Sequence, residues 1–312
     1  MRIAIIDLGT NTFNLFIAET HPGGTYKKLF KSKIPVKLGE GGIGNNHIEK
    51  KPFKRGIKAL ARHKATIEEY KTEKIIAFAT SAIRSSGNGK DFIRQAKAET
   101  GIDITVISGE REAELIYYGV RSAVKMTGSI SLIMDIGGGS TEFVLATKDR
   151  ILWKQSFLLG AARLLEKFNP DDPIQDKEIA AIEQYLGTEL DDLFAAVTLH
   201  PPSELLGSSG SFDSLAEMIS YRYHTIEDLK GKTEYAFNLD DCYEIYKVII
   251  KSSTAQRLQM EGLVKMRVDM IVVSAIMVNF IIQKLGIKAM RLSRYSLKEG
   301  VLWEEMNKSA SK

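Results

Sequence analysis

The sequence predicts an α/β protein built from two related units. Strand-like and helix-like segments alternate along the 312 residues, which is typical of α/β folds. An internal repeat is the second observation: Asp7–Ala18, read DLGTNTFNLFIA, aligns without gaps to Asp135–Ala146, read DIGGGSTEFVLA. In each copy an apolar run ends in Asp, a turn of small residues follows, and another β-prone run comes next. We therefore expect two strand–turn–strand units at domain spacing.

Further elements follow each copy of the repeat. Short apolar runs predict strands, and apolar residues three or four positions apart predict helices. In the first half we expect strands over 74–79 and 104–107, and helices over 49–70, 89–100 and 109–124. The pattern breaks at Met126, Thr127 and Gly128, which predicts a boundary within 120–129 and domains spanning 1–124 and 125–312.

The second half contains more predicted elements than the first. We expect strands over 129–134, 142–146, 151–157, 204–206 and 288–291. We expect helices over 160–168, 175–196, 211–220, 240–260, 268–284 and 297–307. The polar segment 221–239 is predicted as an insertion or flap. The C-terminal helix, at about 297–308, is expected to pack back on the first domain.

Composition and charge restrict the class of protein. With 44% hydrophobic and 26% charged residues the chain is typical of a globular protein, and its single cysteine, Cys242, fits a reducing compartment. The N-terminal apolar run ends at Asp7, and the apolar segment 270–282 is too short to span a bilayer. We expect a cytoplasmic protein without a membrane partner. Between residues 21 and 64, twelve lysines and arginines oppose only Glu40 and Glu49, which favours an anionic partner.

The second repeat copy predicts a phosphate-binding loop. Three consecutive glycines can adopt backbone angles closed to other residues, so that their N–H groups converge on an anion. The carboxylates of Asp135 and Glu142, with Asp7, suit Mg²⁺ or Mn²⁺. The alternative is a glycine-rich hairpin with a solvated Asp. The candidate phosphate-binding residues of the two loops are Thr10, Asn11, Thr12, Gly137, Gly138, Gly139, Ser140 and Thr141.

Three other segments carry candidate site residues. Ser108 is positioned to cap a helix, and the helix dipole alone accounts for Glu112 in its first turn. Arg84 ends a strand-to-loop segment, where it can bind phosphate oxygens or lie on the surface. Ser209 and Gly210 precede a helix whose first N–H groups can bind an anion.

Four segments complete a recognisable pattern: ATSAIR at 79–84, ISGEREAELI at 107–116, LGSSG at 206–210 and SLKEGVL at 296–302. With the two loops, they resemble the exopolyphosphatase/guanosine pentaphosphate phosphohydrolase family of the actin/sugar-kinase/Hsp70-like superfamily. The resemblance runs in the family's order from Asp7 to Leu302. The family usually has Pro and Gly near residues 265 and 274. Lys265, Met266 and Ser274 depart from this, so the roles of Arg267 and Asp269 stay open.

This resemblance implies two ribonuclease-H-like, actin-like lobes with a cleft between them. It implies Mg²⁺-dependent hydrolysis of the terminal phosphoanhydride of inorganic polyphosphate, with Glu112 as general base and Arg84 in the cleft. A guanosine pentaphosphate phosphohydrolase is the near alternative, and an actin-like nucleotide-binding kinase or scaffold is a more remote one. A regulator that binds polyphosphate without cleaving it is a third. No stable nucleic-acid partner is expected, and a homodimer is left open.

Overall fold

The structure, a computed structural model, describes the backbone of residues 1–310 and the side chains of that range except those of residues 228, 309 and 310. Two sheets surrounded by helices confirm the predicted α/β class. The first sheet has the strand order β3-β2-β1-β4-β5. Its strands are β1 (Arg2–Leu8), β2 (Thr12–His21), β3 (Thr25–Pro35), β4 (Lys74–Ala79) and β5 (Ile104–Val106).

The second sheet repeats the antiparallel pair that opens the first. Its β6 and β7 are antiparallel, as β1 and β2 are, and each pair encloses one of the two predicted loops. The strand order is β10-β11-β9-β6-β7-β8. The strands are β6 (Ser131–Ile136), β7 (Thr141–Ala146), β8 (Ile151–Phe157), β9 (Glu204–Ser208), β10 (Glu234–Phe237) and β11 (Met290–Ser293).

Helices cover both faces of each sheet. The helices connected to the first sheet are α1 (Lys50–Glu69), α2 (Ser81–Ser85), α3 (Gly89–Thr100) and α4 (Gly109–Ala123). Those that follow are α5 (Ala161–Phe168), α6 (Asp176–Glu189), α7 (Asp191–Leu199), α8 (Ser209–Tyr223), α9 (Leu239–Lys251), α10 (Thr254–Arg257), α11 (Met270–Leu285) and α12 (Leu297–Ala310). Within residues 1–310, none of them has the length and hydropathy that a membrane-spanning helix requires.

Strand alternation divides the interior into three clusters. In β1, Ala4 and Ile6 pack on the side of α1 and α3, whereas Ile3 and Ile5 face α4 and α12. In β6, Met134 joins the core below α11, while residue 133 faces α4 and α12. The pair α4 and α12 therefore lies between the two sheets. Because α4 contacts strands of the second sheet, the division at residue 124 stays a prediction.

Two glycines allow α4 and α12 to pack closely. A Cβ on Gly119 would lie 2.0 Å from the Ser296 carbonyl oxygen, and one on Gly300 would lie 1.7 Å from that of Leu115. No side chain fits at either position without moving the helices apart. This packing fixes the start of α12 relative to α4.

The structure differs from the predicted elements in several places. The predicted helix over 175–196 is broken at the fully buried Leu190, and the one over 240–260 is interrupted before α10, which Ser253 caps. The segment 221–239 contributes the strand β10. The sequence pattern predicts neither β3 nor α2 as a separate element. The strand β3 lies at the edge of its sheet with exposed lysines, and α2 has five residues, too few to show a helical period.

We predict that Gly300→Ala lowers the free energy of unfolding by about 1–3 kcal/mol, because its methyl group would overlap the Leu115 carbonyl. Gly187→Ala in α6 is the control. Its Cβ would meet only Phe280 at 3.9 Å, so it should be neutral or stabilise by up to about 1 kcal/mol. Urea unfolding of both variants measures the difference. Equal stability of the two variants would refute close packing of α4 on α12.

Candidate active site

A cavity of about 150 Å³ lies where the two strand–turn–strand units meet. Both loops line it, since each follows the strand that carries the repeated aspartate, Asp7 in β1 and Asp135 in β6. The start of α8 and the segment before α12 close other sides. The predicted site residues that line the cavity are Asp7, Thr10, Asn11, Thr12, Glu112, Asp135, Gly137, Gly138, Gly139, Ser140, Ser209 and Gly210.

The glycines of the second loop serve close approach rather than unusual backbone angles. Gly137, Gly138 and Gly139 all lie outside the left-handed region, which corrects the reason that the sequence suggested for them. A Cβ on Gly138 would lie 2.4 Å from Asn11 Nδ2, and one on Gly139 would lie 2.6 Å from Thr10 Oγ1. The two loops are thus in direct contact. Asn11 Nδ2 also contacts Met270 Sδ, at 2.8 Å.

The Asp135 carboxylate is held by hydroxyl groups. Its Oδ2 accepts hydrogen bonds from Ser208 Oγ at 2.6 Å and Ser296 Oγ at 2.5 Å. Burial raises the pKa of Asp135, and these hydrogen bonds oppose the shift. Burial likewise raises the pKa of Asp7 to about 6, although Lys298 and the hydrogen bond from Asn14 Nδ2 lower it. Both repeated aspartates are therefore rigid and partly desolvated.

Glu142 lies behind the cavity rather than in its wall. Its Oε1 accepts a hydrogen bond from Ser156 Oγ at 2.7 Å. Burial, and then the negative charge of Asp135, raise the pKa of Glu142 to about 7. The carboxylate opposes Asp135 across the β6–β7 pair. Its contact with any ligand of the cavity would run through a water or an ion.

Glu112 lies in the cavity wall and is paired with Arg84. Ser108 caps α4 as predicted, accepting a hydrogen bond from the Arg111 backbone N–H at 3.1 Å, and this places Glu112 in the first turn. Arg84 Nη1 donates to Glu112 Oε2 at 2.8 Å and to the Ile107 carbonyl oxygen at 3.0 Å. Burial, and then Glu142, raise the pKa of Glu112 well above its ordinary value, while Arg84 lowers it.

Two predicted side chains are placed differently from the sequence interpretation. Arg84 lies in the short helix α2 instead of at a strand end, and its guanidinium contacts the catalytic candidate Glu112. Thr141 does not reach the cavity. It begins β7, is fully buried, and donates its hydroxyl to the Leu159 carbonyl oxygen at 3.1 Å. Strand alternation turns Thr141 away from the side that Ser140 faces.

The structure adds cationic residues that the sequence did not assign to the site. Lys33 and Lys37 line the cavity, whereas none of the lysines of α1 does. Partial desolvation in the cleft, and then the charge of Arg267, lower the pKa of Lys33 to about 8. Lys298 is paired with Glu299 at 3.2 Å and influences Asp7. The signal for Lys298 was the quoted segment SLKEGVL, and the signal for Lys33 and Lys37 was the basic stretch between residues 21 and 64.

Arg267 covers the start of α8. A Cβ on Gly210 would lie 1.9 Å from Arg267 Nη2, so only glycine allows this stacking. Arg267 Nη1 donates to Ser214 Oγ at 2.9 Å. Ser209, with φ of 73°, is in the left-handed region although it is not a glycine. The predicted pair Ser209 and Gly210 thus contributes a strained backbone beside a guanidinium.

Comparison with known proteins gives consistent matches along nearly the whole chain. A model of the Ppx/GppA phosphatase family matches residues 16–309. Exopolyphosphatase 1 of Mycobacterium tuberculosis is 25% identical over 312 residues, covering 99% of this chain and 90% of that protein. A guanosine-5'-triphosphate,3'-diphosphate pyrophosphatase of Pseudoalteromonas translucida is 28% identical, covering 96% of this chain and 58% of that protein.

Solved structures match the fold closely. The crystal structure of an exopolyphosphatase from Cytophaga hutchinsonii has a TM-score of 0.95 and 38% identity, covering 99% of this chain and 98% of that chain. A Ppx/GppA family member from Aquifex aeolicus has a TM-score of 0.82 and 24% identity, with coverage of 99% and 98%. At this lower identity, the second match supports the fold alone.

We predict a pH-dependent gain in stability for Glu142→Gln. Because the folded protein holds the Glu142 proton more tightly than the unfolded chain, its contribution to stability falls as the pH rises from about 4.5 to about 7. Above pH 7 the ionised Glu142 carboxylate lowers the stability of the folded protein by its full amount, whereas a neutral amide at this position does not. Urea unfolding in EDTA should show the variant more stabilised, relative to the wild type, at pH 8 than at pH 5.

Glu110→Gln is the matched control, because Glu110 is an exposed carboxylate in the first turn of α4. Its stability relative to the wild type should change little between the same two pH values. A pH-independent effect of Glu142→Gln would contradict a carboxyl group with a raised pKa at this position.

Proposed function

Because the chain belongs to the Ppx/GppA phosphatase family, as its motifs predicted, we propose that its cleft hydrolyses the terminal phosphoanhydride of inorganic polyphosphate. The protein is a hydrolase with the actin-like fold of that family. The observation that carries the proposal is the position of Glu112. This buried carboxylate lines the same cavity as both glycine- and hydroxyl-rich loops.

Glu112 is the general base of the proposed reaction. It accepts a proton from the attacking water, whose oxygen forms a bond to the terminal phosphorus. The bond between that phosphorus and the bridging oxygen breaks, and the electron pair stays on the shortened chain. A raised pKa suits proton transfer near neutral pH, and Arg84 fixes the direction of the carboxylate through Nη1. Arg84 therefore acts by positioning the base.

The two loops hold the phosphoryl group in line with this water. Backbone N–H groups of Gly138 and Gly139 and the side chains of Thr10, Thr12 and Ser140 are the donors in the cavity wall. The Gly137 N–H closes the loop instead, by donating to the Ser140 carbonyl oxygen at 3.0 Å. Lys33, Lys37 and Arg267 bind phosphates further along the polyphosphate substrate. Positioning and neutralisation of charge supply most of the acceleration in such reactions.

The acidic groups fit a divalent cation. Glu112, Asp135 and Glu142 are buried, Asp7 is half-buried, and all four have raised pKa values, so the protein alone leaves their negative charge under-compensated. Asn14 Oδ1 is also buried without a hydrogen-bond partner.

Mg²⁺ and similar hard cations are commonly bound through one or two carboxylates and several waters, and Asp135 in the cavity wall suits this role. Within residues 1–310 no three His, Cys, Asp or Glu side chains converge on one point. Asp135 and Glu142, with Asp7, would hold the ion. When bound, it supplies positive charge to the phosphoryl oxygens.

Guanosine pentaphosphate is the second candidate substrate. The similarity to the Pseudoalteromonas pyrophosphatase favours it, and the chemistry at the terminal phosphate is the same. We infer a cytoplasmic protein from the single cysteine, Cys242, which needs no oxidising compartment. A homodimer is compatible with this proposal, which requires neither a membrane nor a nucleic acid.

Phosphate release from polyphosphate and from guanosine pentaphosphate, each with Mg²⁺ and with EDTA, tests the function. We predict faster release from polyphosphate and loss of activity in EDTA, because the buried carboxylates repel the substrate when no cation is present. Restoration by added Mg²⁺ is the control. Full activity in EDTA would exclude the metal role, and faster release from the nucleotide would favour the second candidate.

We predict that Glu112→Gln lowers kcat by about 10²–10⁴-fold and leaves KM nearly unchanged. The amide keeps the shape of the side chain and accepts the hydrogen bond from Arg84, but it cannot take a proton from water. Glu110→Gln, two residues earlier on the exposed side of α4, should retain wild-type rates. Steady-state phosphate release measures both variants, and a near wild-type kcat for Glu112→Gln would remove the general-base assignment.

A further inference from the structure

One serine of the cavity wall has a buried hydroxyl that the protein does not use. Ser81, the first residue of α2, is 2% exposed, and its Oγ has no hydrogen-bond partner. Among the described residues, only two other buried side-chain atoms lack a partner, Asn14 Oδ1 and Ser220 Oγ. Ser81 lines the cavity between the loops, whereas Ser220 lies outside it.

The Ser81 hydroxyl is aimed at the contact between the two loops. A Cβ on Gly139 would lie 2.7 Å from Ser81 Oγ and 2.6 Å from Thr10 Oγ1. The hydroxyl groups of Ser81 and Thr10 therefore approach the same peptide of the second loop from the first sheet. A ligand held by the backbone of Gly139 would meet both of them.

An unpaired buried hydroxyl is unfavourable, and alanine at this position would avoid the loss of hydration. The hydroxyl is therefore explained by a partner that the protein itself does not supply. The neighbouring groups are the donors of Gly139 and Thr10, so a ligand between them must be rich in acceptors. A phosphoryl group, with several oxygens and negative charge, has this chemistry.

We propose that the Ser81 hydroxyl donates a hydrogen bond to an oxygen of the terminal phosphoryl group. This deepens the proposed function and rests on its placement of that group between the loops. The helix α2 then has two tasks, since Ser81 binds the phosphoryl group and Arg84, three residues later, orients Glu112. One rigid turn fixes the distance between the bound phosphoryl group and the base.

Ser81→Ala and Ser220→Ala form a matched pair, because each removes one buried hydroxyl without a partner. Binding of orthophosphate, measured by calorimetry, needs no turnover. For Ser81→Ala we expect the Kd of orthophosphate and the KM of polyphosphate to rise about tenfold to a hundredfold. Ser220→Ala should leave both unchanged. The thermal unfolding midpoint of Ser81→Ala should equal or exceed that of the wild type, since no internal hydrogen bond is lost.

Several results separate this inference from the proposed function. Unchanged orthophosphate binding in Ser81→Ala would overturn the role of Ser81 while leaving the hydrolase intact. A lower unfolding midpoint together with weaker binding would also overturn it, because the hydroxyl would then be structural. A wild type that binds orthophosphate in a Ser81-dependent way, yet releases none from polyphosphate, would support the inference and refute the proposed substrate.

Discussion

The desolvation of four carboxylates beside two loops rich in hydrogen-bond donors is the constraint on which the site depends. Desolvation raises the pKa of Asp7, Glu112, Asp135 and Glu142, and repulsion among them adds to the effect for the two glutamates and for Asp7. Serine hydroxyls are the main compensation at Asp135 and Glu142, whereas Lys298 opposes the shift at Asp7 and Arg84 opposes it at Glu112. Such a site is unfavourable when empty and gains stability from cations, so binding and folding are linked through the same charges.

The packing of α4 on α12 joins this charge arrangement to the fold. Gly119 brings α4 against the Ser296 carbonyl, and the hydroxyl of the same serine holds Asp135. Ser296 thereby fixes the position of α4, which carries Glu112, relative to Asp135 of the second sheet. The two glycine contacts leave little freedom for sliding, because carbonyl groups, unlike flexible side chains, cannot move aside. Glu112 and the glycine-rich loop after β6 keep their relative position for this reason.

The sequence predicted features that depend on local pattern and missed those that depend on contacts between distant segments. Long helices such as α1, and the strands around both loops, have clear periodicity. The strand β3 carries lysines at 27, 28, 31 and 33, which do not alternate regularly with apolar residues. Lys33 joins the cavity only through the sheet order. Thr141 shows that a residue next to a site residue in sequence need not belong to the site. Successive side chains of a strand point to opposite faces of the sheet. The motif identified the glycines, but their close contacts are with segments distant in sequence and could not be predicted from it.

The arrangement of Arg84 explains how one site can serve both binding and proton transfer. A polyanion in the cavity would raise the pKa of Glu112 further, to the point where the carboxylate is protonated and useless as a base. The guanidinium opposes that shift from 2.8 Å, while the backbone carbonyl of Ile107 holds the guanidinium itself in place. We therefore assign the charge of Arg84 to keeping Glu112 ionised rather than to binding the phosphate. In the proposed reaction, the negative charge of the substrate is then compensated by the backbone donors, the hydroxyls and the cation.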